Sequence, residues 1–133
     1  MTVPIDWEAM FAAADLVRHR AHARYSNFKV GAAILCQDWT ILSGCNVENA
    51  SFGLTLCAER NAIGQMVAQG KKLVAVAIVV DSAQPTPPCG MCRQVMAEFA
   101  ASSLEVRSRN TKGAEARYTL GALLPHAFTS DFL

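Results

Sequence analysis

No apolar run in the sequence is longer than the eight residues Leu73 to Val80, far short of the length a helix needs to cross a bilayer. The N-terminus, MTVPIDWEAM, lacks a basic stretch followed by an apolar one, so no secretion signal is expected and the expected location is cytoplasmic. Surplus charge is also missing. Twelve Lys and Arg against eleven Asp and Glu leave a formal +1, which argues against a nucleic-acid surface and against a polybasic membrane patch. The five cysteines are an odd number, and without an export signal a disulfide framework is not expected. Thiolates used for metal or chemistry are the better reading. There is no repeat, low-complexity tract or linker-like stretch, and at 133 residues the chain reads as a single domain, 1–133.

What is abundant is apolar side chain, at 52% of residues. A small domain with more apolar residue than its interior can hold often buries the excess against copies of itself. Asp6 can cap a first helix running to about Ala23, with Trp7, Met10, Phe11, Ala14 and Val17 at helical spacing. His19 and His22, three apart on it, read as a solvated face. Val30, Ala32 and Ile34 alternate as a strand, and a turn at Asp38-Trp39 returns the chain through Ile41 to Cys45. With the tip there, Cys36 faces Ile41 and Cys45 faces Ala32, so the two thiols should not pair and read as small buried apolar residues. Cys57 to Ala68 reads as a helix, and Leu73 to Val80 as a strand apolar on both faces, which suits a central strand covered on each side. A proline-punctuated loop precedes a helix over 90–101, with Met91 and Met96 expected in its packing, and short strands follow near 104–107 and 117–120. This alternation predicts an α/β fold, a three-layer α/β/α sandwich.

Two segments carry chemistry: Cys57-Ala58-Glu59-Arg60 and Pro88-Cys89-Gly90-Met91-Cys92-Arg93. The 31 residues between Cys57 and Cys89 hold a helix, a strand and a loop, enough to bring two helix N-termini side by side at one sheet edge. Such termini carry unpaired N–H groups and partial positive charge, which favour thiolates. Cys57, Cys89 and Cys92 are then placed to hold Zn²⁺ with a fourth position open to water, the pattern of a catalytic site. Glu59 can reach that position and carry protons between water and a substrate nitrogen, as in zinc nucleobase deaminases. Three thiolates leave the loaded site formally −1, and Arg60 and Arg93 are the cations positioned to compensate it. A Cys-x-x-Cys alone also fits a redox pair or half of a structural zinc site, whose fourth ligand could be Cys45 or His126. The two segments together, with Glu59 at its offset, favour catalysis.

The sequence resembles the small, homotetrameric cytidine deaminases. The resemblance lies in five blocks in order: Tyr25 to Ala33, Gly44 to Ser51, Cys57 to Arg60, Pro88 to Gln94 and Leu123 to Phe128. It implies a mixed sheet of about five strands, one Zn²⁺ per chain on Cys57, Cys89 and Cys92, and Glu59 as proton shuttle. The implied reaction is hydrolysis of cytidine or deoxycytidine to uridine or deoxyuridine plus ammonia in pyrimidine salvage, with zinc-activated water adding at C4. It further implies that Asn46 and Glu48 hold the ribose 3′-hydroxyl, that the Ala58 N–H holds the pyrimidine carbonyl, and that Phe28 packs on the base. Phe128 would reach a neighbouring subunit's site, completing each active site within a homotetramer. Phe52, Pro87 and Trp39 depart from the family pattern, which commonly has tyrosine, Ser or Thr, and glycine there. Deaminases of tRNA adenosine, guanine or deoxycytidylate usually have His in place of Cys57, and blasticidin-type enzymes lack the Asn46-x-Glu48 pair. The near-neutral charge suits a single nucleoside or nucleotide better than a polyanion.

Overall fold

The computed structural model describes residues 3–133. Helix α1 spans Trp7–Arg18, and the Asp6 carboxylate caps it by accepting from Ala9 N at 3.0 Å. Strands β1 (Val30–Cys36) and β2 (Ile41–Cys45) form a hairpin, followed by α2 (Ala58–Ala68) and β3 (Leu73–Val80). Then come α3 (Gly90–Phe99), β4 (Glu105–Asn110), β5 (Glu115–Thr119) and the single turn α4 (Leu120–Leu123). The five strands lie in the order β2-β1-β3-β4-β5. Only β3 and β4 run parallel among these pairs, so the sheet is mixed as expected.

Alternation along β1 and β3 divides the core in two. On one face Ala33, Leu35, Ala75, Ala77 and Val79 meet Trp7, Met10, Phe11 and Ala14 of α1. On the other, Ile34, Cys36, Val76, Ile78 and Val80 meet Ala62, Ile63 and Met66 of α2 and Cys92 and Met96 of α3. Both faces of β3 are thus buried, giving the predicted three layers. From β4, beside Ala77 and Val79, the guanidinium of Arg107 lies 4.2 Å from the Trp7 ring centroid and that of Arg109 lies 4.0 Å from that of Phe11. No described helix is long and apolar enough to cross a membrane.

Several expectations need correction. Helix α1 ends at Arg18 rather than near Ala23, because His22 is drawn into backbone pairing beside β2. Its N–H donates to Asn46 O at 3.0 Å and its carbonyl accepts from Glu48 N at 2.8 Å. His19 and His22 therefore share no helical face, although both are exposed as expected. The hairpin register is displaced by one: Leu35 faces Ile41 and Gly31 faces Cys45. Its connection has three residues, Gln37 to Trp39, closed by Cys36 N on Thr40 O at 2.9 Å, with Trp39 left-handed at φ 65°. Glycine would adopt that conformation more easily. Cys36 is buried but Cys45 only half-buried, and both are free thiols. Of the two α3 methionines, Met96 is buried while Met91 is 63% exposed. The strand ends also move: β4 begins one residue later than predicted and runs on to Asn110, and β5 spans Glu115–Thr119.

The positions of β2 and α2 are interlocked. Asn61 and Gln65 of α2 donate to the carbonyls of Cys45 and Ser43, each at 2.8 Å. Between them Gly44 lets the helix backbone come close; a Cβ there would stand 2.7 Å from both Ala58 O and Ala62 N. Backbone atoms cannot rotate aside, so Gly44→Ala is expected to push α2 off the sheet. It should destabilise the fold by about 1–3 kcal/mol, read as a lower urea midpoint with unchanged slope.

Candidate active site

Three strand ends meet at one edge of the sheet. Val30 at the start of β1 pairs with Val80 at the end of β3, and Cys45 at the end of β2 pairs with Gly31. Whatever precedes β1, follows β2 or follows β3 is brought there. So are the N-termini of α2 and α3. Cys57 and Cys89 are their N-cap residues, in extended conformation (ψ 154° and 166°), and neither sulfur caps its own helix. The sulfurs are therefore free to face one another. Cys57 Sγ lies 3.7 Å from Cys89 Sγ, Cys89 Sγ lies 3.4 Å from Cys92 Sγ, and all three fall within 4.8 Å of one another. A tetrahedral zinc with bonds of about 2.3 Å needs sulfurs about 3.8 Å apart, so these three donors fit the ion. Neither Cys45 nor His126 belongs to the group, and the structural four-ligand alternative finds no support.

Arg60 stands as expected: its Nη2 donates to Cys57 Sγ at 3.6 Å and to Thr55 O at 3.2 Å. Its Nε is buried without an acceptor, a surplus donor beside sulfurs that become anionic when they take up a cation. Arg93 corrects the expectation. It donates to Pro88 O at 2.7 Å and Leu123 O at 2.9 Å, fastening the start of α3 to α4 rather than serving the sulfurs. Hydrogen bonding from Cys92, helped by Arg60 and Cys89 against the effect of burial, lowers the Cys57 thiol to about 5. The Cys92 thiol is pushed up, by that same bond to Cys57 first and by burial next. Glu59 is buried at 4% exposure. Burial foremost, then the negative charge of Cys57, raises its carboxyl above the ordinary range.

A cavity of about 280 Å³ opens onto this cluster. Ile78, Val80, Val30 and Phe28 give it apolar walls, and Cys57, Ala58, Glu59 and Cys89 line it as well. Asn46 and Glu48 also line it. Asn46 donates from Nδ2 to Phe28 O at 2.8 Å and accepts from Val30 N at Oδ1 at 2.9 Å. The Glu48 carboxylate accepts from Tyr25 N and Ser26 N at 2.9 and 3.1 Å and from Ser26 Oγ. The Ser26 hydroxyl, ahead of burial effects, holds it below the usual range. Phe128 is not part of this cavity; it is 60% exposed and stacked on Phe132 at 5.8 Å.

Ser26, Thr55, Thr86, Ile78 and Val80 line the cavity without having been singled out from the sequence. The strand alternation carried a usable signal for Ile78 and Val80, which share the α2 face of β3 at its terminal end. For Thr55 and Thr86, in irregular segments, no pattern exists. Pro87, a departure from the family pattern, lines the cavity, whereas Trp39 sits at the hairpin tip.

A sequence model described as the cytidine and deoxycytidylate deaminase zinc-binding region matches residues 5–107. The chain belongs to this deaminase family. Its relatives include a cytidine deaminase of Halalkalibacterium halodurans, 43% identical over 96% of this chain and 97% of that protein. A crystal structure of cytidine deaminase from Burkholderia pseudomallei superposes with a TM-score of 0.89 at 45% identity, covering 93% of this chain and all of that one. More distant is a blasticidin-S deaminase of Bacillus cereus, 34% identical over 77% of this chain and 78% of its own length. The deaminase family is zinc-binding, and the three thiols form the group able to hold the ion. Because Arg60 favours the thiolate of Cys57, Arg60→Ala in this deaminase should weaken zinc retention about 10–100-fold. Competition against a chromophoric chelator at neutral pH measures it.

Proposed function

We propose that the chain hydrolyses the 4-amino group of cytidine and deoxycytidine, giving uridine or deoxyuridine and ammonia. The observation that carries this reading is a buried carboxyl, Glu59, lining the same largely apolar cavity as Cys57 and Cys89 of the three clustered thiols and as Asn46 and Glu48. Cys57, Cys89 and Cys92 hold one zinc per chain; when bound, it supplies the Lewis acidity that makes water a nucleophile at neutral pH. Glu59 takes one proton of the attacking water and passes it to N3 of the pyrimidine so that C4 becomes more electrophilic. It then takes the remaining proton of the added hydroxyl and delivers it to the amino group, so that the C4–N bond breaks, ammonia leaves with the bonding pair and C4–O becomes the carbonyl. A carboxyl raised by burial is suited to both taking and giving that proton. Arg60 offsets the negative charge of the thiolates.

Substrate is held by residues around the same cavity. The first N–H groups of α2 have no partner within the helix, and Ala58, fully buried at its start, presents one to the pyrimidine carbonyl. Phe28 packs on the base, and Asn46 and Glu48 take the ribose 3′-hydroxyl. Of the described residues lining this cavity and the second one that shares Ser26, Glu48 and Thr55 with it, none is Lys, Arg or His. That favours an uncharged nucleoside over a nucleotide or nucleic acid. Phe128 serves a neighbouring subunit, a reading supported by its exposure outside its own chain's cavity. Met91, Phe52, Leu54 and Phe132, all more than 60% exposed, are apolar surface that a homotetramer would bury. The protein acts as one domain, 1–133, in cytoplasmic pyrimidine salvage.

Purified enzyme should remove the ultraviolet absorbance of cytidine, and a sample stripped of zinc by a chelator should not. Glu59→Gln should keep fold and zinc but lose turnover by at least about a thousandfold; near-normal turnover would overturn the proton-shuttle role. Deoxycytidylate should be turned over at least about a hundredfold less efficiently than deoxycytidine, since no Lys, Arg or His among the described lining residues stands ready to receive its 5′-phosphate. Equal efficiency in a side-by-side assay would refute that specificity.

A further inference from the structure

The Glu48 carboxylate lines the cavity on a side chain with several torsions, yet a ribose hydroxyl needs it in one orientation. An ionised carboxylate only accepts hydrogen bonds, at about four sites. Oε1 takes two, from Tyr25 N at 2.9 Å and Ser26 N at 3.1 Å. Oε2 takes one, from the Ser26 hydroxyl. Because the carboxylate cannot donate, the single hydroxyl proton of Ser26 is committed to it. The Ser26 oxygen in turn accepts from Phe28 N at 3.0 Å, and the Phe28 carbonyl accepts from Asn46 Nδ2 at 2.8 Å. One hydroxyl therefore joins Glu48, the backbone of Phe28 and Asn46 into a single chain of hydrogen bonds with every direction assigned. Asn27, between them, is left-handed at φ 58°, the conformation that turns Ser26 back toward Phe28 N.

We propose that Ser26 is a positioning residue for substrate: its hydroxyl holds the Glu48 carboxylate so that the remaining acceptor site of Oε2 faces the cavity and receives the sugar 3′-hydroxyl. This rests on the reading that Glu48 binds that hydroxyl. Removing the Ser26 hydroxyl frees Oε2 to rotate and leaves the backbone N–H contacts on Oε1 in place. The effect belongs to binding of the sugar rather than to the chemistry at C4, so KM should rise while kcat changes little.

The test compares cytidine with 3′-deoxycytidine, which lacks only that hydroxyl, and reads the ratio of their kcat/KM values, in which a general loss of folded enzyme cancels. In zinc-loaded Ser26→Ala the ratio should fall about tenfold, the scale of one charge-assisted hydrogen bond. Ser26→Thr, which keeps a hydroxyl, should restore it to within about twofold of the native value. Glu48→Gln is measured alongside. If Ser26→Ala lowers both substrates alike while Glu48→Gln collapses the ratio, Ser26 serves only the turn and the proposal falls alone. If Glu48→Gln leaves the ratio intact, the ribose reading fails and the proposal with it.

Discussion

Two helices that begin at the same edge of one sheet, with a cysteine at each N-cap, are the constraint on which this molecule depends. Helix N-termini concentrate unpaired amides and partial positive charge, and both are directed toward a single point. Such a place disfavours cations from side chains and favours thiolates and carboxylates. Three sulfurs within 4.8 Å and a buried Glu59 occupy it. The strand directions do the rest. Since β1 starts where β2 and β3 end, Phe28, Asn46, Glu48 and Thr86 arrive at the same edge from three separate connections without any of them belonging to a helix or strand.

That edge also shows how residues of the same type, at the ends of the two cysteine segments, come to opposite uses. Arg60 and Arg93 each follow the last motif residue of their segment. Arg60 turns toward sulfur, whereas Arg93 finds two backbone carbonyls, at Pro88 and Leu123. Position along a chain does not determine which acceptor a long, flexible guanidinium meets. Only the tertiary placement of α4 beside α3 decides it. The thiols, by contrast, are short, and spacing alone constrains where they can go.

The difference in reach explains what the sequence could disclose. The layers and the three thiols with Glu59 were readable, because each rests on periodicity or on side chains at fixed spacing, and the resemblance implied a mixed sheet of about five strands. The hairpin register was not. It turns on Trp39 occupying a left-handed conformation, against the ordinary preference of a bulky residue, and that residue displaces every cross-strand pair by one. The end of α1 was hidden for a related reason: helical periodicity continues past Arg18, but the backbone of His22 is more usefully paired with Asn46 and Glu48. Met91 lies next to buried Cys92 on α3 yet faces outward, since the motif rather than an apolar stripe sets that helix's rotation. The polar lining from Ser26, Thr55 and Thr86 sits in irregular backbone, where no repeat announces a direction.

The sulfur cluster joins α2 to α3 across a long stretch of chain, and neither helix caps itself with its own cysteine. An ion that binds only the assembled cluster works as a reversible cross-link, adding stability in proportion to the logarithm of its concentration over its dissociation constant, about 4 kcal/mol at a thousandfold excess. Folding and metal supply thus form one equilibrium in this molecule. The amount of intact protein in a cell would follow the availability of free zinc, so that scarcity of the ion reduces the number of folded molecules and not only their turnover.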